Sequence, residues 1–301
     1  MRIPVLCGPT AAGKTAAALA LFGGTDTYCA IAADSMQVYR CMDIATAKPT
    51  PGEQAVLRHE MIDCVHPEEH YSAGQYLREA RERISHHLDN GKRVVIVGGT
   101  GLYIKALLQG LFEGPPQDRA LRDTFMKREK QEPGILYREL SVNDPPSAAR
   151  IHQQDIRRIV RALEVLALTG KSISYLQSKM QASPWTLRLA GLTLDRAELA
   201  ERIERRIDAM FAAGLLDEVR MLRERGCHEG MVSMQGLGYR ECLQYLEGRI
   251  SLDEAKAVFL ARTKSFAQKQ IMLFRRIPGL VWFYAHDIEG LSRYFHKDAR
   301  S

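Results

Sequence analysis

The stretch GPTAAGKT, residues 8–15, indicates the fold most strongly, because an apolar run precedes it and a helix-forming run follows it. Residues 3–7 predict a strand, and residues 14–22 (KTAAALALF) predict a helix. The spacing fits G-x-x-x-x-G-K-[ST], in which glycines let backbone N–H groups converge on phosphate oxygens at a helix start. Lys14 adds a positive charge, and the Thr15 hydroxyl is placed to hold Mg²⁺. The predicted phosphate loop therefore consists of Gly8, Pro9, Thr10, Ala11, Ala12, Gly13, Lys14 and Thr15.

Two further apolar runs, residues 28–33 (YCAIAA) and 94–97 (VVIV), are typical of buried strands, and residues 74–90 between them predict a helix. Strands that alternate with helices indicate a parallel sheet with right-handed crossovers. Ligands of such sheets bind at the carboxyl ends of the strands. The phosphate loop, Asp34 and the GGTG turn at residues 98–101 all follow strand ends. We therefore expect these three features to lie together.

Asp34 and Thr100 are the side chains at these strand ends with the most useful chemistry. Asp34 could hold a metal ion or act as a general base, although a carboxylate is also common there as a helix cap or turn residue. Thr100 could donate a hydrogen bond to a phosphate or leaving-group oxygen, or simply belong to a turn. The strand VVIV ends in glycines, not in the metal-holding Asp of a usual phosphotransferase. The residues alone thus leave open whether the loop holds ATP or another diphosphate ester.

The composition is typical of a soluble globular protein with a mildly basic surface. The 301 residues include 42 Lys and Arg against 36 Asp and Glu, a formal charge of +6, which permits a nucleic-acid partner without requiring one. The six cysteines are scattered without a CxxC pair, so we expect neither a disulfide framework nor a zinc site. No apolar run has membrane-spanning length, and the first residues lead directly into a strand. We expect a cytoplasmic protein without a signal peptide or a membrane partner.

The segment after the third strand has a different character. Residues 114–185 are charged and mostly helical, with breaks at Pro133-Gly134 and Pro145-Pro146. Residues 186–194 (TLRLAGLTL) predict a strand that returns to the sheet, residues 281–285 predict a last strand, and helices are predicted at 196–225, 239–247 and 252–275. The predicted fold is α/β: a P-loop NTPase-like core with a parallel sheet flanked by helices (1–113 and 186–301), plus a helical insertion domain (114–185).

Six motifs together carry a family resemblance. They are GPTAAGKT, ADSMQVYRCMDIATAKPT (33–50), VGGTGLYIKALLQGL (97–111), RRIVRALEVLALTGKSIS (157–174), MQGLGYRE (234–241) and QKQIMLFR (268–275). In this order they resemble the tRNA dimethylallyltransferases, also called tRNA isopentenyltransferases, almost from end to end. The resemblance implies transfer of a dimethylallyl group from dimethylallyl diphosphate to N6 of the adenosine 3′ to the anticodon (position 37). The acceptors would be tRNAs that read codons beginning with U, diphosphate would be released, and Mg²⁺ would be the cofactor.

The resemblance also implies roles for individual residues in a protein that we expect to be a monomer bound to the tRNA anticodon stem-loop. Asp34, Lys14, Thr100 and Arg240 would be catalytic, with Asp34 as the base, and Thr15 would be the metal ligand. The positions matching tRNA-contacting positions of the family are Asp34, Ser35, Met36, Gln37, Thr100, Arg122, Arg157, Arg158, Ile159, Val160, Arg161, Gln235, Gly236, Leu237, Gly238, Tyr239, Arg240, Gln268, Lys269, Gln270, Ile271, Met272, Leu273, Phe274 and Arg275. Gln37 would pair with an adenine edge.

Basic residues elsewhere have a simpler interpretation when the resemblance is set aside. Arg262, Lys269 and Arg276 follow one another at seven-residue steps, hence on roughly one helix face. Taken alone, such a stripe, like the cluster at Arg157–Arg161, predicts a solvated face, and the resemblance is what favours RNA contact at 157–161 and 268–275. The run from 196 to 206 places arginines at 202, 205 and 206 among glutamates at 198, 201 and 204. It predicts a surface helix held by salt bridges.

The chain departs from the family pattern in two motifs, and three alternative functions stay open. Ala12 replaces a Ser in the phosphate loop, and QKQIMLFR replaces a pattern close to KRQITWFR, so that one positive charge and a Trp are absent. The second change bears on tRNA contact and not on the chemistry. The alternatives are an adenylate isopentenyltransferase that acts on a free nucleotide, a small-molecule P-loop kinase that uses ATP, and an inactive tRNA-binding protein. The helical insertion with its arginines favours a tRNA acceptor.

Overall fold

The structure is a computed structural model that describes residues 2–112 and 114–296. It divides into two compact units. The larger unit contains the chain up to Leu108 and again from Ser183, and the smaller unit is Gln109–Ala182. Glu113, at the predicted domain boundary, lies outside the described residues, as do Met1 and residues 297–301.

The described residues of the larger unit form a six-stranded sheet in which every neighbouring pair of strands is parallel. The strand order is β3-β2-β4-β1-β5-β6. The strands are β1 (Arg2–Cys7), β2 (Tyr28–Ala32), β3 (Arg58–Glu60), β4 (Arg93–Gly98), β5 (Thr186–Thr193) and β6 (Val281–Tyr284). The five strands predicted from sequence are present, and the parallel sheet is confirmed. The short β3 was not predicted because its three residues, RHE, contain no apolar run.

The helices of the larger unit pack beside this sheet. The ones that precede the smaller unit are α1 (Lys14–Phe22), α2 (Pro51–Val56), α3 (Ala73–Asp89) and α4 (Gly101–Gln109). The side chains of Leu77, Ala80 and Ile84 form the buried face of α3, as their spacing predicts, and the Ser72 hydroxyl caps its start by accepting the Gln75 N–H. Phe22 of α1 is buried in a core cluster with residues of β1, β2, β4 and β5.

The smaller unit is helical, with its own apolar core. Its helices are α5 (Arg119–Gln131), α6 (Ile135–Asn143), α7 (Pro145–Ala148), α8 (Ile156–Thr169) and α9 (Ile173–Ser178). Leu136, Leu140, Ile159 and Leu163 are buried in this core. The unit begins and ends a few residues before the predicted range 114–185. The first and last residues of this unit lie close together. A Cβ built on Gly110 would lie 2.1 Å from the Gln181 carbonyl oxygen.

The remaining helices of the larger unit are α10 (Arg196–Ala212), α11 (Leu215–Glu224), α12 (Tyr239–Leu246), α13 (Leu252–Phe274) and α14 (Ile288–His296). The single helix predicted over 196–225 is wrong, because Gly214 adopts a left-handed conformation (φ +94°) that ends α10 and starts α11. The 23-residue α13 starts at a capping box between Ser251 and Glu254. Across residues 2–112 and 114–296, no helix combines the length and apolarity needed to span a membrane.

Candidate active site

The phosphate loop lies between β1 and α1, at the carboxyl edge of the sheet. Gly8 has φ +147°, and a Cβ there would lie 2.6 Å from the carbonyl oxygen of Leu192 on β5. Among the described residues, no acceptor is hydrogen-bonded to the backbone N–H groups of Gly13, Lys14 or Thr15. These unpaired donors open α1, where the helix dipole also favours an anion. The loop is therefore built to receive phosphate oxygens.

Two positive side chains and one carboxylate share this site. Lys14 Nζ donates to the carbonyl oxygens of Gly8 (3.1 Å) and Pro9 (2.8 Å). Burial lowers the pKa of Lys14 to about 8; the Asp34 carboxylate opposes this shift, and Arg206 adds to it. Burial also lowers the pKa of Arg206, again against the attraction of Asp34. The candidate catalytic carboxylate and the candidate phosphate-binding lysine therefore interact electrostatically, as the topology predicts.

Arg206 is a site residue that the sequence interpretation missed. On α10, Arg202 pairs with Glu198 (2.8 Å) and Arg205 with Glu201 (3.6 Å), as predicted for a surface helix. Arg206 instead donates from Nη1 to the Thr10 hydroxyl at 3.4 Å, and no carboxylate in the described chain pairs with it. The prediction that it belongs to the salt-bridged face is wrong. The sequence contained an indication of this difference. Arg202 and Arg205 each have a glutamate four positions earlier, whereas the residue four positions before Arg206 is an arginine.

Asp34 and Thr100 are brought together by the ends of β2 and β4. The Thr100 N–H donates to the Ala33 carbonyl (3.0 Å), and the Thr100 hydroxyl accepts the Ser35 N–H (2.9 Å). Asp34 Oδ1 accepts the Met36 N–H at 2.9 Å, so one carboxylate oxygen stabilises the turn. The other oxygen has no hydrogen-bond partner in the described chain. Asp34 can therefore be both a turn residue and a general base, because the two roles use different carboxylate oxygens.

The loop after Asp34 is fixed by side chains within it. Gln37 donates both of its amide hydrogens, to the carbonyl oxygens of Thr46 and Ala47 at 3.1 Å each. Only its Oε1 is left for the adenine contact implied by the resemblance. The buried Lys48 ammonium pairs with Asp43 and, at 2.6 Å, with Asp63. This loop therefore has a defined shape before any ligand binds.

Glu218 of α11 fixes the same loop from outside. Its carboxylate accepts the backbone N–H groups of Asp43 and Ile44 at 3.0 Å each and the Tyr239 hydroxyl at 2.6 Å. Tyr239 is completely buried, so its side chain holds the loop and does not face solvent. Nearby, a Cβ built on Gly236 would lie 2.4 Å from the Met36 methyl carbon. Residues 236–239 (GLGY) thus support the loop that follows Asp34.

Arg240, a predicted catalytic residue, lies at the start of α12 and pairs with Glu229 at 3.3 Å. In the part of the chain that the structure describes, it makes no ion pair or hydrogen bond to the phosphate loop. The Gln235 side chain also bonds to Glu229, at its backbone carbonyl. The arginine that the structure brings to the phosphate loop is Arg206.

The predicted RNA-contacting motif on α13 is divided between a buried and an exposed face. Gln270 and Phe274 are buried. The exposed members are Gln268, Lys269, Met272 and Arg275. The predicted basic stripe is interrupted, because Arg262 pairs with the buried carboxylate of Glu241 and Arg276 follows the end of the helix. Lys269 is the stripe residue that stays exposed on the helix.

The arginines of the smaller unit also divide into two groups. Arg122 and Arg161 both bind the fully buried Glu164, at 2.7 and 2.6 Å. Burial by itself would raise the pKa of Glu164, but the hydrogen bonds from both arginines hold it below its usual value. Ile159 and Val160 are core residues, so their side chains do not face solvent. Arg157 and Arg158 are the exposed members of the predicted RNA-contacting stretch.

A parallel sheet with a phosphate loop between its first strand and first helix places the protein in the P-loop NTPase-like class. The family model of the IPP transferases matches residues 37–277. The chain therefore belongs to the IPP transferase family. This membership confirms the resemblance that the sequence motifs predict.

Individual relatives cover nearly the whole chain. The tRNA dimethylallyltransferase 2 of Syntrophus aciditrophicus is 45% identical over 97% of this chain and 95% of its own. The tRNA dimethylallyltransferase of Thermotoga maritima is 41% identical over 94% and 92%. Among solved structures, the tRNA isopentenylpyrophosphate transferase of Bacillus halodurans has a TM-score of 0.71 at 34% identity and coverages of 99% and 95%. A eukaryotic dimethylallyltransferase acting on tRNA has a TM-score of 0.80 at 25% identity and coverages of 99% and 77%.

Proposed function

We propose that this protein transfers a dimethylallyl group from dimethylallyl diphosphate to N6 of the adenosine at position 37 of tRNAs that read codons beginning with U. Diphosphate is the leaving group. One observation carries the proposal. At one edge of the sheet, unpaired N–H groups of the phosphate loop lie together with the side chains of Lys14, Arg206 and Asp34. Relatives named for this activity, similar over almost the full chain, support the choice of reaction.

The donor diphosphate binds to the phosphate loop. The N–H groups of Gly13, Lys14 and Thr15 have no competing acceptor within the described residues and hydrogen-bond to its oxygens. Lys14 and Arg206 neutralise the charge that grows on diphosphate as the carbon–oxygen bond breaks. One well-placed donor of this kind contributes about 3 kcal/mol to the transition state. No nucleotide is hydrolysed in this reaction.

The residues around the loop also fit a Mg²⁺ ion. The Thr15 hydroxyl has no hydrogen-bond partner in the described chain and is therefore free to bind a cation. Hard cations prefer such oxygen ligands together with those of a diphosphate. Thr15 would hold the ion, which, when bound, would neutralise negative charge on the leaving group.

Asp34 is the general base. Its unpaired carboxylate oxygen accepts the N6 proton while the other oxygen stays in the turn to Met36. General-base catalysis contributes roughly 10²–10⁴-fold. The Thr100 hydroxyl accepts the Ser35 N–H and donates to the Ser35 hydroxyl at 3.3 Å, and it exchanges this long bond for one to the leaving group. The allylic carbon tolerates partial positive charge, so a weak nucleophile such as an aromatic amine suffices.

The acceptor adenosine leaves the stack of the anticodon loop before it reacts, as is usual for enzymes that modify a base. The exposed parts of the matched stretches, Arg157, Arg158, Lys269, Met272 and Arg275, bind the RNA, with Gln37 Oε1 facing the adenine edge. Phosphate contacts from the basic members make binding depend on salt. The enzyme acts as a cytoplasmic monomer.

A product assay tests the proposal. Purified protein, Mg²⁺ and labelled dimethylallyl diphosphate are incubated separately with unmodified tRNA and with AMP. We expect label in tRNA at the adenosine 3′ to the anticodon and none in AMP. Label in AMP alone would identify an adenylate isopentenyltransferase. A parallel sample contains ATP, and consumption of that ATP without prenyl transfer in any sample would identify a P-loop kinase.

A further inference from the structure

Gln270 connects two loops of the site through its side-chain amide. Its Oε1 accepts the backbone N–H of Thr10 at 2.8 Å, and its Nε2 donates to the Gly99 carbonyl at 2.8 Å. The residue is 7% exposed and lies on the inner face of α13. Although it belongs to a motif matched to RNA contact, each of its two polar groups is hydrogen-bonded inside the protein.

The glycine-rich turn after β4 is shaped to admit α13. A Cβ built on Gly99 would lie 2.6 Å from Gln270 Nε2, and one built on Gly101 would lie 2.1 Å from a methyl carbon of Leu273. A methyl group at either position would displace the end of the Gln270 or the Leu273 side chain. The glycines therefore leave room for the Gln270 amide to reach the Gly99 carbonyl.

The two residues that Gln270 binds belong to two different loops of the proposed site. Thr10 belongs to the phosphate loop, and its hydroxyl accepts from Arg206. Gly99 immediately precedes Thr100, whose side chain binds Ser35 next to Asp34. The Gln270 amide thus fixes the distance between the donor-binding loop and the loop that supports the base. A displacement of about 1 Å in such a site can lower the rate by ~10²-fold.

We propose that Gln270 is a positioning residue for the prenyl donor and that the buried face of α13 holds the diphosphate site in register with Asp34. This inference rests on the proposed function, because it concerns the geometry of the same reaction. In this proposal the exposed and buried faces of the α13 motif have different roles. Lys269 and Met272 face outward, and Gln270 acts inward on the loops without touching either substrate.

Kinetics of Gln270→Met test the role, because Met keeps the side-chain volume and removes both hydrogen bonds. We expect kcat/KM for dimethylallyl diphosphate to fall roughly 10- to 30-fold, because the two loops are no longer held at a fixed distance, while tRNA affinity measured without donor stays within about threefold. The matched control is Gln54→Met, which removes a single bond from Gln54 to the Pro49 carbonyl away from the site. The control should keep wild-type kinetics. Equal losses for donor and tRNA, or wild-type donor kinetics in Gln270→Met, would overturn the proposal.

A double-mutant cycle tests whether Gly99 and Gln270 act through the same contact. Gly99→Ala displaces the Gln270 amide, so the losses in donor kcat/KM for Gly99→Ala and Gln270→Met should not add. Additive losses would contradict a shared contact.

A third measurement needs no variant. Hydrogen exchange of the ligand-free wild type should show a protected Thr10 amide and unprotected Gly13 and Lys14 amides; an unprotected Thr10 would overturn the proposal. Failure of the wild type to transfer prenyl groups would instead reject the proposed function, so the two failures are distinguishable.

Discussion

Arg206 of the larger unit and Arg161 of the smaller unit differ in what neutralises them. Arg161, with Arg122, is bound to the buried carboxylate of Glu164. Arg206 makes no ion pair among the described residues, although the Asp34 carboxylate attracts it, and it reaches the phosphate loop at Thr10. Arg122 links α5 to Glu164 of α8, and Arg161 neutralises the same carboxylate from within α8, whereas the charge of Arg206 is available to a ligand. The partner of an arginine, more than its place in a basic cluster, therefore indicates whether it serves structure or function.

The largest expected effect comes from removing the available charge. Arg206→Ala should lower kcat/KM for dimethylallyl diphosphate about 10²–10³-fold, because one charged donor to the leaving group is removed. Steady-state kinetics with varied donor measure this change. Arg205→Ala, one position away and paired with Glu201, is the matched control and should behave as wild type. Similar kinetics for both variants would remove the distinction between the two arginine environments.

The complementary change removes the neutralising carboxylate. Glu164→Gln leaves Arg122 and Arg161 without a charged partner and should lower the free energy of unfolding by about 2 kcal/mol, a value reduced from that of a fully buried pair because both arginines are partly exposed. Urea denaturation measures the loss. Glu132→Gln, which breaks an exposed pair with Arg138, should cost less than about 0.5 kcal/mol. If the two variants were equally stable, Glu164 would not be a structural centre.

The pH dependence of the reaction should report on Lys14. Since its pKa is lowered to about 8, the free enzyme loses this positive charge as pH rises through about 8. We expect kcat/KM for the donor to fall above that pH by up to tenfold per unit, with no contribution from Lys14 below about pH 7. Lys14→Arg, whose charge persists, should lack this alkaline decline. An unchanged decline in that variant would assign it to another group.

The smallest effect is expected where arginines are exposed. Replacing Arg157 and Arg158 together by Ala should weaken tRNA binding several-fold and reduce the slope of log affinity against log salt by ~0.9 for each phosphate that is no longer neutralised. Filter binding at several salt concentrations measures both quantities. Arg138→Ala in the same unit is the control. An unchanged slope in the double variant would place the RNA-binding surface elsewhere.

Much of the fold could be predicted because its signals are local. Apolar runs indicated five strands, and the phosphate loop identified the edge where Asp34 and Thr100 meet. The short β3 and the break at Gly214 were missed, since the three residues RHE carry no hydrophobic signal and an isolated Gly is tolerated in a helical pattern.

The candidate site was harder to predict because its contacts are distant in sequence. Gln270 lies 260 residues from Thr10, and no periodicity indicates that its amide closes the site. Motif matching likewise grouped Tyr239 and Gln270 with exposed neighbours, although both are buried. A motif identifies which residues matter and leaves undecided whether each faces ligand or protein.

The proposed function is tested most directly by comparing the diphosphate released with the prenyl groups transferred to tRNA. In a rapid-quench experiment with wild-type protein, Mg²⁺, tRNA, labelled dimethylallyl diphosphate and added ATP, diphosphate release and label in tRNA are measured in the same samples. We predict one diphosphate for each prenyl group transferred, with ATP unchanged. Release of diphosphate without label in tRNA, or hydrolysis of ATP in step with the reaction, would contradict the claim that this loop holds a prenyl donor beside its base.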